Sequence, residues 1–220
     1  MTASAPIRLG TRGSALALAQ SQRVADSIAS MGGAGVFVAA VREALLNGDC
    51  DVVVHSLKDL PTAPHPELAM SAIPKRADAR DAAVVAGGVP LAELPAGARV
   101  GTGSPRRRAQ LRRRFPDVEV VELRGNVDTR LARVLDDKEG VTADLDAVIL
   151  AAAGLERLGR DDAITEHFGI DGWPTAPGQG ALAVETRKGA SGPLAAALQS
   201  LDHRATRTAV AWKHWPSRRS

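Results

Sequence analysis

Short apolar runs that end in a polar or glycine-rich turn and lead into a helical pattern constrain this chain most. Asp51-Val52-Val53-Val54-His55 and Asp146–Ala151 are continuous apolar stretches, the pattern of strands buried on both faces. Further strands are expected at Ile7–Gly10, Leu68–Ile73, Ala82–Ala86, Val118–Leu123 and Ala181–Thr186, with Val100 leading into a Gly-Ser-Pro turn. Helices are expected from Ser14 to about Ser30 and over Phe37–Asn47, Ser104–Arg114, Asn126–Leu135, Asp161–Phe168 and Pro193–Leu201. This alternation predicts an α/β fold with mainly parallel sheets. The rhythm breaks once. Only Met31-Gly32-Gly33-Ala34-Gly35 separates the first two helices, so either they pack in tandem or a strand-bearing segment is absent. No internal repeat is visible.

Composition removes several function classes. No apolar run approaches the ~20 residues of a membrane span, and the N-terminus has no signal-peptide pattern. A single cysteine, Cys50, excludes an internal disulfide and a cysteine-rich metal site, so no metal is expected and the compartment is expected to be cytoplasmic. The sequence pI near 9.5 misleads. His203–Ser220 holds five Lys/Arg and no acid, and residues 1–202 carry 23 basic against 25 acidic side chains. Basicity therefore gives little support to nucleic-acid binding, and 3% aromatics without tyrosine argues against base stacking. Arginine is more telling, with 23 Arg against 5 Lys. Its planar fork suits carboxylate and phosphate, although GC-rich codon usage enriches it too.

Four junctions carry candidate chemistry. Thr11-Arg12-Gly13-Ser14 follows a strand and opens a helix, where exposed N–H groups and the dipole favour an anion. His55–Thr62 follows a buried strand, at the edge where α/β folds bind ligands; Lys58 could hold an anion while Asp59 handles a proton or developing cation. An exposed loop ion pair and a core histidine are the plainer readings there. Gly101-Thr102-Gly103-Ser104-Pro105-Arg106-Arg107-Arg108 puts cations in a helix's first turn, against its dipole, which is easier to understand if an anion sits there. Arg112–Arg114 read as a solvated face. Leu123-Arg124-Gly125-Asn126, with Arg130 behind it, is the fourth; residues 99–133 hold ten Arg against four acids. A ligand with several negative groups fits: phosphates, nucleic acid or a polycarboxylate.

These junctions, together with Ala153–Gly159 and Pro177-Gly178-Gln179-Gly180-Ala181, resemble the porphobilinogen deaminase (hydroxymethylbilane synthase) family, in order from about Ile7 to Val210. The resemblance implies two periplasmic-binding-protein-like lobes with a cleft between them. The first would take residues 1–76 plus 175–202, the second 80–172, and 203–220 would be a remnant of the family's third domain ending in an aberrant basic tail. It also implies the reaction: tetrapyrrole biosynthesis by head-to-tail condensation of four porphobilinogen units to hydroxymethylbilane, a deaminating transferase reaction on the route to porphyrin and heme. Each pyrrole carries an acetate and a propionate. Loss of ammonia leaves an electron-poor azafulvene that the next pyrrole attacks. Asp59 matches the family's catalytic carboxylate. Arg12, Ser14, Lys58, Ser104, Arg106, Arg107, Arg124, Arg130 and Arg157 match positions that bind cofactor or substrate carboxylates, with Thr102 and Gln179 as further motif positions.

The sequence departs from that pattern twice. Family members carry a dipyrromethane primer on a cysteine of the third domain. No such cysteine follows Val210, and Trp212–Ser220 reads like a shifted frame, so the primer is expected not to be covalently attached and this chain's activity is in question. Against the family pattern, some 30–35 residues are also skipped between Ser30 and Met31, which should cost the first lobe a strand. The alternative to catalysis is a two-lobed module that binds an anionic pyrrole or polycarboxylate. A monomer without nucleic-acid or membrane partners is expected.

Overall fold

The computed structural model describes residues 7–29, 35–38, 41–135, 140 and 142–211. The chain forms two compact units, one from Met1–Ala77 with Gly180–Ser220 and one from Asp78–Gln179.

In the first unit the chain runs β1 (Ile7–Gly10), α1 (Ala15–Ala29), β2 (Gly35–Val38), α2 (Val41–Asn47), β3 (Val52–Ser56) and β4 (Leu68–Ala72), and returns later as β10 (Leu182–Arg187), α6 (Gly192–Leu201) and α7 (Arg204–Val210). The sheet order is β2-β1-β3-β10-β4. β1 is parallel to β2 and β3, while β10 runs antiparallel to both neighbours, β3 and β4. Side-chain alternation sends Val52 and Val54 to a core with Leu9, Val24, Ile28 and Leu198, and Val53 to the opposite core with Ala44, Leu45 and Cys50. Helices thus cover both faces, which is why these strands read as continuous apolar runs.

The second unit holds β5 (Asp81–Val85), β6 (Arg99–Thr102), α3 (Pro105–Arg114), β7 (Glu119–Glu122), α4 (Val127–Leu135), β8 (Ala147–Ala151), α5 (Ala152–Arg157) and β9 (Glu166–Phe168). Its sheet order is β7-β6-β8-β5-β9. β6 is parallel to β7 and β8, and β5 is antiparallel to β8 and β9. Val148 and Leu150 pack into one core with Leu131 and Leu155. Ala147 and Ile149 pack into the other, with Leu111, Phe168 and Trp173. Fully burying one such aliphatic side chain is worth about 1.5–3 kcal/mol.

The two sheets have the same plan. In each, four strands share a direction, and the strand by which the chain enters the unit, β5 or β10, runs against them. Mainly parallel sheets are therefore present, with one reversed strand apiece. The duplication is one of topology that the sequence does not display.

Three expectations fail. Residues 35–38 are not the start of a helix over 37–47: Gly35–Val38 is a strand in register with β1, Ile7 opposite Gly35 and Gly10 opposite Val38. A β-branched and aromatic Val-Phe-Val triplet suits a sheet better than a helix. The first unit consequently keeps five strands, and the expected loss of one does not occur. The break itself, around residues 30–34, lies outside the described residues, as does the tail from 212 to 220. Last, Asp161–Phe168 is no helix. A 3-10 turn over Asp161–Ala163 precedes β9, whose pairing to β5 sets Phe168 opposite Asp81. The same pairing packs the Phe168 ring against Trp173, centroids 4.4 Å apart.

Candidate functional site

In the first unit the site is built at the C-terminal ends of the parallel strands β1 and β3. Beyond β1, buried Thr11 donates its hydroxyl to Ala17 O at 3.0 Å, and Ser14 Oγ accepts from Ala17 N at 3.3 Å, so the helix start is closed by its own side chains. Gly10 is needed because β1 touches the next strand's lead-in: a Cβ there would stand 2.8 Å from Cys50 Sγ. Beyond β3, Ser56 Oγ accepts from Gln20 at 2.9 Å, and a single 3-10 turn, Leu57–Asp59, follows. Leu57 is fully buried and its N–H donates to Ala181 O at 2.9 Å, which leaves Lys58 half-buried and Asp59 exposed.

A cavity of about 290 Å³ opens here, lined among others by Arg12, Gln20, Arg42, His55, Ser56 and Asp59. The Arg12 guanidinium lies 3.8 Å from the Asp59 carboxylate, and both side chains are more than half exposed. Such a pair contributes little to stability, so its charges are free to act on a ligand. Asp59 therefore pairs with Arg12 across the cavity. Arg42, Glu185 and Gln20 join this region without having been singled out in the sequence. Glu185, in the buried part of β10, accepts from Arg42 Nε at 2.8 Å and Nη2 at 2.7 Å, and lies 3.0 Å from His55 Nε2. Burial pushes its carboxyl up, but His55 and Arg42 outweigh that and hold it at about 2. A charge embedded in an otherwise apolar strand, Leu182-Ala183-Val184-Glu185, was the available signal.

In the second unit the candidate residues gather at the matching edge of β6, β7 and β8. Ser104 caps α3 by accepting from Arg107 N at 3.4 Å, and buried Thr102 accepts from Ser104 N at 3.3 Å. The arginines of the first turn do find an anion, but it is the protein's own. Asp81 has a fully buried side chain. It accepts from Arg107 Nη2 at 2.6 Å, Arg106 Nη2 at 2.8 Å, Trp173 Nε1 at 2.9 Å and Gln179 Nε2 at 2.8 Å. Arg107 also donates to Ile149 O and is itself buried, while Arg106 reaches Pro174 O at 2.6 Å and stays a quarter exposed. Burial raises the Asp81 carboxyl, yet Arg107, Gln179 and Arg106 together bring it down to about 2. Sequence reading gave Arg106, Arg107 and Gln179 without the acid and the indole that join them.

Arg124 and Arg130 differ. Arg124 is 90% exposed, with Glu122 3.4 Å away. Arg130 donates Nε to Gly125 O at 2.8 Å, and burial, with Arg107's charge beside it, holds its guanidinium below the usual arginine range. Gly103 is required beside it, since a Cβ would fall 2.4 Å from Leu123 O and 3.7 Å from Arg130 Nη2. Asn126 caps α4 by accepting from Thr129 N at 2.8 Å. Arg157 closes α5, half-buried, at the end of the segment that follows β8.

Cys50 is fully buried, and burial pushes its thiol up, so it is a packing residue. Among the described residues no three His, Cys, Asp or Glu side chains cluster to hold a metal, and no helix is long and apolar enough to cross a membrane.

Known proteins of the same build are numerous. Solved structures similar in fold include the methionine binding protein MetQ (TM-score 0.53, 16% identity, 94% of each chain) and a putative lipoprotein from Ruminococcus gnavus (TM-score 0.53, 13% identity, 93% of this chain and 94% of that one). At such identity they speak for the fold alone. By sequence, residues 25–193 match the family model described as porphobilinogen deaminase, dipyromethane cofactor binding domain. Porphobilinogen deaminase of Leifsonia xyli subsp. xyli is 52% identical over 227 aligned positions, covering 91% of this chain and 67% of that protein. Those of Cutibacterium acnes and Acidothermus cellulolyticus are each 50% identical, covering 93% of this chain and 70% and 68% of theirs. An alignment of 227 positions is longer than the 220 residues of this chain, so the Leifsonia protein carries internal residues that this one lacks. Identity of this depth across more than nine-tenths of the chain, with a family model spanning both units, leaves one conclusion: the chain belongs to the porphobilinogen deaminase family.

Proposed function

We propose that this chain takes part in tetrapyrrole biosynthesis as a hydroxymethylbilane synthase, condensing porphobilinogen units head to tail with release of ammonia. The observation that carries the reading is the exposed Arg12–Asp59 pair facing one cavity at the ends of β1 and β3. Asp59 is the catalytic group. An exposed carboxylate accepts hydrogen bonds from pyrrole N–H groups and stabilises the positive charge that develops as ammonia departs. Arg12, Ser14 and Lys58 of the first unit and Thr102, Ser104, Arg106, Arg107, Arg124, Arg130, Arg157 and Gln179 of the second bind or orient the acetate and propionate groups. Within that set, Arg124 and Arg130 make the direct contacts, because they have cationic donors not taken up by Asp81. Arg107 and Gln179 act through the Asp81 cluster, and Arg106 stands between the two roles.

The dipyrromethane named in the family description is a chain of two such pyrroles, and the donors present suit its carboxylates. The half-buried Arg130 guanidinium, close to Gly103 where the chain packs against Leu123 O, is a cationic donor of the right chemistry. Ser104, Arg124 and Arg130 of the second unit would hold it, and when bound it supplies the pyrrole end to which new units are added. The protein is further proposed to act as a cytoplasmic monomer without nucleic acid, since Arg106 and Arg107 are already engaged by Asp81.

The test is to incubate the purified chain with porphobilinogen and follow ammonia release together with uroporphyrin absorbance after oxidation. Release of ammonia that stops on Asp59→Asn supports the reading. Porphobilinogen bound but never deaminated would instead favour the non-catalytic binding module.

A further inference from the structure

Arg42 belongs to the wall of the Asp59 cavity, although it lies in α2, far in sequence from the glycine-rich junctions. Its side chain is a quarter exposed. Glu185 grips it on two sides, accepting from Nε and Nη2. That leaves Nη1, with two N–H donors, without a protein partner among the described residues. A guanidinium held bidentately is fixed in its plane, so the remaining donors point in one set direction at small entropic cost. Glu185 is buried on β10 and reaches His55 at 3.0 Å as well, so helix α2, strand β3 and strand β10 are joined through one carboxylate. His55 in turn precedes Ser56 and the turn that presents Asp59. A cation has been placed rigidly beside the candidate carboxylate and given spare donors.

We propose that Arg42 is a further carboxylate-binding residue of the Asp59 cavity, held in place by Glu185 as a positioning residue. It takes the acetate or the propionate of the pyrrole that Asp59 engages by its ring N–H. The proposal rests on the reading of the chain as a porphobilinogen-using enzyme. It adds a second guanidinium to the first unit, where Arg12 alone is already ion-paired to Asp59. The cavity, at about 290 Å³, is close to the lower bound of small-molecule sites, ~300 Å³, and suits a single pyrrole unit.

The test is calorimetric titration of the Asp59→Asn chain, in which ligand is not consumed, with three probes: porphobilinogen, its acetate monomethyl ester and its propionate monomethyl ester. Arg42→Met is expected to weaken porphobilinogen roughly tenfold or more, as loss of a hydrogen-bonded charge contact does. It is expected to weaken only one of the two esters, because the other lacks the carboxylate that Arg42 holds. Glu185→Gln should give the same pattern at smaller size, and Glu185→Asp should recover part of the loss. Arg42→Lys, which keeps the charge without the fork, follows the same pattern and serves if the methionine variant does not fold. An equal loss for all three probes, or no loss, overturns the assignment. Failure of both the Asp59→Asn and the unsubstituted chain to bind porphobilinogen overturns the underlying functional reading, and this inference with it.

Discussion

Asp81 offers the sharpest test of the physical account of the second unit. Its side chain is fully buried, and four donors from three segments end on its two oxygens. Replacing it with Asn removes the charge, leaves Arg106 and Arg107 without their counter-ion, and presents an amide N–H₂ where two donors need an acceptor. Breaking a buried ion pair from one side costs about 3–5 kcal/mol. Part of this must be pH-dependent. The folded carboxyl titrates at about 2 against an ordinary 3.8, so ionisation alone stabilises the unit by about 2 kcal/mol at neutral pH. Because the folded value is the lower one, that contribution is complete above pH ~5 and is lost as pH falls from about 4 toward 2. By pH 3 about half of it, roughly 1 kcal/mol, should be gone. The rest of the mutational loss reflects the misplaced amide and stays at every pH.

The assay is urea unfolding of the chain and of Asp81→Asn at pH 7, 5, 4 and 3, followed by Trp173, which is buried and donates to Asp81 itself. Trp212 and Trp215 are replaced by Phe in both proteins so that the fluorescence belongs to the second unit. The difference in unfolding free energy should be constant from pH 7 to 5 and narrow by roughly 1 kcal/mol at pH 3. A difference that stays level down to pH 3 would show that Asp81 is not held ionised by Arg106 and Arg107. A difference under ~1 kcal/mol at pH 7 would show that the cluster is incidental.

Three other outcomes follow from the same geometry. Asp59→Asn should abolish ammonia release while leaving urea stability within ~0.5 kcal/mol, because its ion pair with Arg12 is long and exposed. Gly10→Ala should destabilise the first unit by about 1–3 kcal/mol, since the new methyl would lie 2.8 Å from Cys50 Sγ, and Cys50→Ala in the same chain should recover much of that. Cys50 should resist a thiol reagent in native buffer and react promptly in urea, as its complete burial and raised thiol require; mass spectrometry of the alkylated protein reads both.

The fold was legible wherever a strand is buried on both faces, because such strands must be apolar throughout. Val52–Ser56 and Ala147–Ala151 fall where their apolar runs do. Short strands defeated the same reasoning. Gly35–Val38 and Glu166–Phe168 have four and three residues, too few for any periodicity to show, and tertiary pairing decides them: β2 is a strand because β1 lies alongside it, β9 because β5 does. The repeated sheet plan is likewise a property of pairing, with no need for residue identity between the copies.

At the candidate site the sequence exposes cations more readily than the acids that govern them. A run such as Arg106-Arg107-Arg108 is conspicuous in one dimension, and an anion was rightly expected near it. What periodicity cannot say is that the anion lies 25 residues upstream, at the first position of a strand on the same sheet edge. The consequence is chemical as well as structural. An arginine whose guanidinium is already shared with a buried aspartate is a weaker magnet for a ligand carboxylate than one without such a partner, because the ligand must share the donor or displace it. That ranks the cluster by a criterion the motif does not contain: Arg130 and Arg124 above Arg106, and Arg106 above Arg107. In the first unit the same criterion points to Arg12, whose acid partner is distant, and to the unpartnered side of Arg42. If the ranking holds, single alanine substitutions should weaken porphobilinogen binding in that order, while thermal stability falls in the reverse order. Binding and stability falling together would mean that the buried cluster itself is where ligand is held.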